Sequence, residues 1–293
     1  MKHKVLILGS AGLIGHQIYF YLKNKSDFQL SNISYSKKLQ NDTILLDARD
    51  QESLTIQIKN INPDFVVNCI GSLIENSNRD PQSAIMLNAY LPHKLVNLAH
   101  AIGFKLIHMS TDCVFSGKKR APYIETDFKD GRDIYAKTKG LGEIINNNHL
   151  TLRTSVVGPE LKSSGGQLFN WFMNQSSSIN GYSTAFWSGV TTIELAKAVK
   201  WTIDNEITGL YHITNNQSIS KNNLLRLFKK YTKKNIEIIP LDLNNLDKSF
   251  IDTRKLIDYE IPSYELMVRD MVKLISENKE LYSQYKFGKN FEF

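Results

Sequence analysis

The chain has 293 residues, 42% hydrophobic and 22% charged, enough apolar content to close one large core or two modest ones. No run approaches the roughly 18 consecutive apolar residues of a membrane span, and Met1–Lys4 leads into a strand-like segment rather than a signal-peptide core, so a cytoplasmic protein without membrane partners is expected. Cys69 and Cys113 stand far apart without C-x-x-C spacing, which argues against a disulfide framework or a metal site, and the net charge of +7 suits an anionic ligand such as a nucleotide.

A first strand is predicted over Lys4–Gly9, followed by "GSAGLIG" and a helix over 13–24. Gly9, Gly12 and Gly15 then lie where a strand turns into a helix. One glycine permits the tight turn, one lets backbone approach a pyrophosphate, and one lets helix pack on strand. Gly9, Ala11, Gly12, Leu13, Ile14 and Gly15 form the candidate dinucleotide cradle, with phosphate at the helix N-terminus.

The second strand, Phe28–Ser36, runs into Ser34-Tyr35-Ser36-Lys37-Lys38, where an NAD site ordinarily offers a carboxylate to the adenosine ribose. None is present. The hydroxyl of Ser36 and the ammonium of Lys37 suit a 2′-phosphate, so NADPH is expected over NADH. Strands over Thr43–Asp47 and Asp64–Gly71 end at Asp47-Ala48 and Asn68-Cys69-Ile70-Gly71. These strand ends are where an open α/β sheet binds ligands. Asp47 is a candidate acceptor for the adenine amine or a plain turn residue, and Ala48, Ile70 and Gly71 complete the candidate cofactor wall.

Helices are predicted over 51–61 and 82–102, a strand over Lys105–Ser110, a helix over 133–147 and a strand over 151–158. The strand-end segment "HMSTDCVFSG" is expected to present Ser110, Thr111 and Asp112 at the same sheet edge as the glycine loop. On the 133–147 helix, Tyr135 and Lys139 share a face at i and i+4. Strands alternating with amphipathic helices predict an α/β fold, a Rossmann-type doubly wound parallel sheet.

Past Gly158 the pattern loosens. Lys162–Gly166 reads as a loop, Gln175–Thr184 as a polar connection, and helices are predicted over 192–205, 221–231 and 264–277. The expected organisation is a dinucleotide-binding domain over 1–157 with returns near 185–213, and a smaller, mainly substrate-binding region over 158–293. The lysine-rich run Lys221–Lys234 has Leu224, Leu225, Leu227, Phe228 and Tyr231 at helical spacing, a helix with a solvated basic face rather than a nucleic-acid arm.

With Thr111 followed by Tyr-x-x-x-Lys, the chain resembles the extended short-chain dehydrogenases. The order "STDCVFSG", "PYIETD", "YAKTKGLGE", "LRTS" and "GLYHIT", through about residue 214, is similar to the dTDP-4-dehydrorhamnose reductase family. The resemblance implies a catalytic Thr111, Tyr135 and Lys139 beside a bound nicotinamide, with Ser110 at the same edge. It also implies reduction of the 4-keto group of a nucleotide-linked 6-deoxyhexose for bacterial surface polysaccharide.

Poising a phenol near neutrality means lowering it by roughly 2–3 pKa units, about 3–4 kcal/mol, and Lys139 is expected to contribute. The related 4,6-dehydratases carry Asp-Glu after the threonine, whereas this chain has Asp112-Cys113, which favours a reductase. Members making dTDP-rhamnose commonly have Tyr at the Cys113 position and an aromatic residue at Val156. Asp112, Cys113 and Val156 are therefore the candidate substrate contacts, and the sugar and base stay open.

Asn88 resembles the family's structural Asn. Arg153 is either a diphosphate ligand or a buried ion-pair partner. The alternatives are an epimerase using the same trio, and a non-catalytic NADP-binding subunit resembling the methionine adenosyltransferase β subunit. A homodimer is an expectation from the superfamily, with no interface located.

Overall fold

The computed structural model describes residues 2–119, 122–243, 245–254 and 259–292. Seven strands form its central sheet: β1 (Lys4–Leu8), β2 (Gln29–Ser34), β3 (Ile44–Leu45), β4 (Phe65–Asn68), β5 (Lys105–Thr111), β6 (Leu150–Thr154) and β7 (Gly209–His212). Their spatial order is β3-β2-β1-β4-β5-β6-β7. Every neighbouring pair is parallel. The order reverses between β1 and β4, and the crevice outside their C-terminal ends is the ligand position such a sheet creates.

The helices are α1 (Leu13–Lys25), α2 (Gln51–Ile61), α3 (Ile74–Arg79), α4 (Pro81–Ala84), α5 (Leu91–Ile102), α6 (Ile134–Leu141), α7 (Leu168–Asn174), α8 (Thr192–Asp204), α9 (Lys221–Thr232) and α10 (Tyr264–Glu277). Strand alternation divides the core into two layers. Val5 and Ile7 of β1 and Val67 of β4 pack with Ile18 and Leu22 of α1 and Leu195 and Val199 of α8. Leu6 and Leu8 of β1 and Val66 pack on the other face with Leu54 and Ile58 of α2 and Leu91 and Leu95 of α5. Both faces are therefore dry, each fully buried Leu, Ile or Val contributing about 1.5–3 kcal/mol.

Three predicted elements differ from what forms. The helix expected over 82–102 is interrupted by one wide π turn at Ile85–Tyr90. The helix expected over 133–147 is capped at Asp133, whose carboxylate accepts from Ala136 N at 2.7 Å, but ends at Leu141. Past it, Gly142 lies against the π turn, where a Cβ would fall 1.9 Å from the Asn88 carbonyl oxygen. The strand expected over 151–158 breaks at Ser155, its second part, Val156–Val157, pairing with Val190–Thr191 outside the main sheet.

Residues 175–184, expected to be a polar connection, contain the strand Ile179–Tyr182, which pairs in parallel with Ile238–Leu241. Its alternate residues Ile179 and Gly181 are buried. The chain returns to the central sheet through α8, which packs on α1, and through β7. The remaining C-terminal elements gather around Phe169, Phe172 and Phe228, whose rings meet at 5.2 and 5.6 Å between centroids.

Candidate active site

The glycine loop joins β1 to α1 at the switch point. Gly9 has φ +78°, and a Cβ there would lie 3.1 Å from the Cys69 carbonyl carbon and Ile70 N; a Cβ at Gly15 would lie 2.2 Å from the Gly9 carbonyl oxygen. The first glycine thus makes the turn and the third lets the helix close on it. Gly12 is the N-cap of α1, exposed and without a side-chain cap, and no acidic residue occupies the first turn. The helix N–H groups beside Ala11, Leu13 and Ile14 are left for an anion, so this cradle fits a dinucleotide pyrophosphate.

At the end of β2, Ser34 closes the turn by donating to the Lys37 carbonyl, while Tyr35, Ser36, Lys37 and Lys38 are exposed. Asp47 is paired within its own turn. Its Oδ2 accepts from Arg49 Nε at 2.9 Å and Nη2 at 2.6 Å and its Oδ1 from Nε at 3.1 Å, and that pairing holds its carboxyl below the usual range. The same guanidinium reaches Ser83 Oγ at 3.2 Å and lies over the Tyr35 ring at 5.8 Å. Arg49 was missed in the sequence, where the Asp-x-Arg spacing at Asp47–Arg49 was its signal. Ala48 is buried beneath this pair.

At the end of β4, Asn68 accepts from Ile70 N at 3.1 Å and reaches His108 Nδ1 at 3.2 Å, which sets the turn through Cys69, Ile70 and Gly71. Asn88, on the π turn, is fully buried. Its amide accepts from Ser72 N at 2.8 Å and donates to Ser72 O at 3.0 Å and Thr138 Oγ1 at 3.1 Å. One side chain therefore ties the β4 loop to the residue next to Lys139.

Thr111 ends β5, and its hydroxyl faces the Tyr135 phenol and favours the ionised form. Burial and the neighbouring Cys113 outweigh it and push the phenol up, the reverse of the lowering expected from Lys139. The Lys139 ammonium is drawn inward instead, donating to Met109 O at 2.6 Å. Burial lowers it to about 8, opposed by the Glu143 and Cys69 sides.

Ser110 is turned to Glu143, donating to Oε1 at 2.6 Å. Arg153 grips the same carboxylate from Nε at 2.8 Å and Nη2 at 2.7 Å, and Lys129 stands 3.1 Å away. Arg153 is thus the buried ion-pair partner and not a diphosphate ligand. Its Nη1 lies 2.8 Å from His212 Nε2, while His212 Nδ1 lies 2.9 Å from Ile251 O. A carbonyl only accepts, so Nδ1 carries the proton and Nε2 takes the hydrogen bond from Arg153. Burial and Arg153 hold this imidazole at about 4, neutral as that arrangement requires.

On the side facing the C-terminal region, Asp112 is buried and Cys113 and Val156 are partly so. Burial pushes the Cys113 thiol up to about 12, as it does Cys69, so neither is a nucleophilic thiolate at neutral pH. Lys221, at the start of α9, faces Asp112 and Cys113 and lies over the Trp187 ring at 5.3 Å. It lay hidden in the sequence within a lysine-rich helix whose other cations are solvated. Phe169, Phe172 and Trp187 are core, whereas Trp171 and Phe186 are more than a third exposed. Among the described residues no His, Cys, Asp or Glu cluster could hold a metal, and no helix is long and apolar enough to cross a membrane.

A doubly wound sheet with a glycine cradle at its switch point and a Thr-Tyr-Lys set one strand away defines the class of short-chain dehydrogenase-like, dinucleotide-binding folds. The family described as RmlD substrate binding domain matches residues 3–248, and the chain belongs to it. It is 28% identical over 217 residues to the spore coat polysaccharide biosynthesis protein SpsK of Bacillus subtilis, covering 72% of this chain and 73% of that one. It is 26% identical over 237 residues to the methionine adenosyltransferase 2 subunit beta of Xenopus laevis, covering 75% and 69%. The fold matches the dTDP-4-dehydrorhamnose reductase of Bacillus anthracis, solved in complex with NADP, with TM-score 0.80 and 20% identity, covering 94% of this chain and all of that one.

Proposed function

We propose that this protein is an NADPH-dependent oxidoreductase that reduces the 4-keto group of a nucleotide-linked 4-keto-6-deoxyhexose, a step in building surface polysaccharide. The observation that carries the reading is Thr111 facing Tyr135 at the end of β5, beside the crevice that the glycine cradle opens, with Lys139 one helical turn on.

Gly9, Gly12 and Gly15 would hold the pyrophosphate of the dinucleotide, and Ile70 and Gly71 would line its path toward Tyr135. The bound reduced nicotinamide supplies a hydride. Burial keeps the Tyr135 phenol protonated, the state a reductase needs before it donates to the substrate oxygen. Thr111 polarises that oxygen, and its hydroxyl favours the phenolate left behind. Lys139, one helical turn on, contributes positive charge once it turns from Met109 O towards the ribose hydroxyls.

NADPH preference is supported by the exposed Ser36, Lys37 and Lys38 and by Arg49, which neutralises the nearest carboxylate, Asp47. Arg49→Ala is expected to raise the dissociation constant for NADPH about tenfold, as loss of a charge-assisted contact does, while leaving NADH binding little changed. Titrating both cofactors checks it, and an equal effect on both would remove Arg49 from 2′-phosphate recognition.

Likeness to the methionine adenosyltransferase subunit supports a second reading, a dinucleotide-binding protein without turnover. The two separate when NADPH consumption is followed with dTDP-, UDP- and GDP-linked 4-keto-6-deoxyhexoses. Consumption with one of them supports the reductase. Binding of NADPH with none consumed, together with a stoichiometric copurifying protein, supports the other.

A further inference from the structure

Beneath the glycine cradle lies a buried polar chain that no catalytic role uses. His16, Gln17 and Tyr282 are almost fully excluded from solvent. His16 Nδ1 lies 2.7 Å from Gly12 O, and His16 Nε2 lies 3.0 Å from the Tyr282 hydroxyl. The Gln17 amide donates to the same hydroxyl.

The tautomer of His16 is fixed by donor inventory. Gly12 O only accepts, so His16 Nδ1 carries the proton. Nε2 of the neutral ring then accepts, with the Tyr282 hydroxyl at 3.0 Å and the Gln17 amide at 3.1 Å as its donors, and Gln17 also supplies the hydrogen bond that the Tyr282 oxygen accepts. Burial, which lowers His16 to about 4, keeps the ring in the neutral form this order requires.

The Gly12 carbonyl belongs to the same peptide group as Leu13 N–H, the first helical N–H of α1. That carbonyl already accepts from His16 N at 3.2 Å. A second donor on the oxygen polarises the amide and strengthens its N–H towards an anion. It also fixes the peptide plane, and with it the direction in which the N–H points.

We infer that His16 is a positioning residue for dinucleotide binding, orienting and polarising the Gly12–Leu13 peptide towards the pyrophosphate, and that Tyr282 holds His16 in the tautomer that does so. The inference rests on the dinucleotide reading of the cradle. It adds that the segment after α10, outside the matched residues 3–248, controls cofactor affinity from behind the loop.

The test is direct NADPH binding, followed by nicotinamide fluorescence without any sugar substrate, for the wild type and His16→Asn, His16→Leu and Tyr282→Phe, with thermal unfolding of each measured alongside. The Asn amide can stand in for Nδ1–H, so His16→Asn is expected to bind within about 2-fold of wild type. His16→Leu and Tyr282→Phe are expected to weaken binding by about 3- to 10-fold, the range of one ordinary hydrogen bond. Equal affinities for His16→Asn and His16→Leu would overturn the inference, as would affinity losses that merely follow the loss of thermal stability. Wild-type protein that binds no NADPH would overturn the dinucleotide reading itself, a result distinct from binding that the substitutions leave unchanged.

Discussion

Tyr135 and Lys139 divide protonation between them, and burial is what sets each. The phenol is pushed up and stays protonated, while the ammonium is lowered to about 8. Removing the acid in Tyr135→Phe is expected to lower kcat by about 10²- to 10⁴-fold with NADPH binding retained, the usual worth of a positioned proton donor; turnover near wild type would remove Tyr135 from that role. Lys139 is charged below about pH 8 and neutral above it, so a reaction that needs its charge loses kcat/KM as pH rises through that value. A pH profile flat to pH 10 would contradict this. Arg153 belongs to the same scale. Arg153→Ala leaves Glu143 charged and fully buried with only Lys129 and Ser110 beside it, and is expected to cost about 3–5 kcal/mol of stability in urea unfolding.

The π turn at Ile85–Tyr90 gives α4 and α5 their functional meaning, because it turns Asn88 inward to join Ser72 and Thr138. Asn88→Ala leaves Ser72 N–H without that partner, and is expected to cost about 1–3 kcal/mol and to lower turnover by loosening α6 beneath Lys139; unfolding and kcat measured together check it. Gly142→Ala is expected to disturb the same contact from the other side, since its Cβ has no room beside the Asn88 carbonyl. Helices α2 and α10 were legible to the residue from apolar spacing, and the structure caps them at Asp50 and Ser263. The π turn was not, because an extra residue in a turn leaves the local apolar pattern intact. At the end of α6, Gly142 meets the distant Asn88 backbone, a contact that no local spacing records. The strand Ile179–Tyr182 was concealed by the serines before it and its own asparagine and glycine, and pairs with Ile238–Leu241 alongside.

Across the molecule, the strand-to-helix turn at Gly9–Gly15 and the shared helix face of Tyr135 and Lys139 were legible in the sequence because each depends on spacing within one short segment. The partners of Arg153 and Lys221 and the Tyr282 partner of His16 lie up to 266 positions away, and only the folded chain brings them together. Burying neutral histidines carries a whole-molecule consequence. His16 and His212 are both lowered from 6.5 to about 4, so between those values the unfolded chain binds more protons than the folded one. Stability therefore falls as pH drops from 6.5 to 4, by up to about 3 kcal/mol per group. Urea midpoints at pH 7 and pH 5 check this, and an unchanged midpoint would contradict it. The most direct test of the central claim is NADPH oxidation with freshly generated dTDP-, UDP- and GDP-linked 4-keto-6-deoxyhexoses, run beside Tyr135→Phe. Consumption of NADPH with one nucleotide sugar, lost in Tyr135→Phe, is the predicted result; no consumption with any of them by protein that binds NADPH would contradict it.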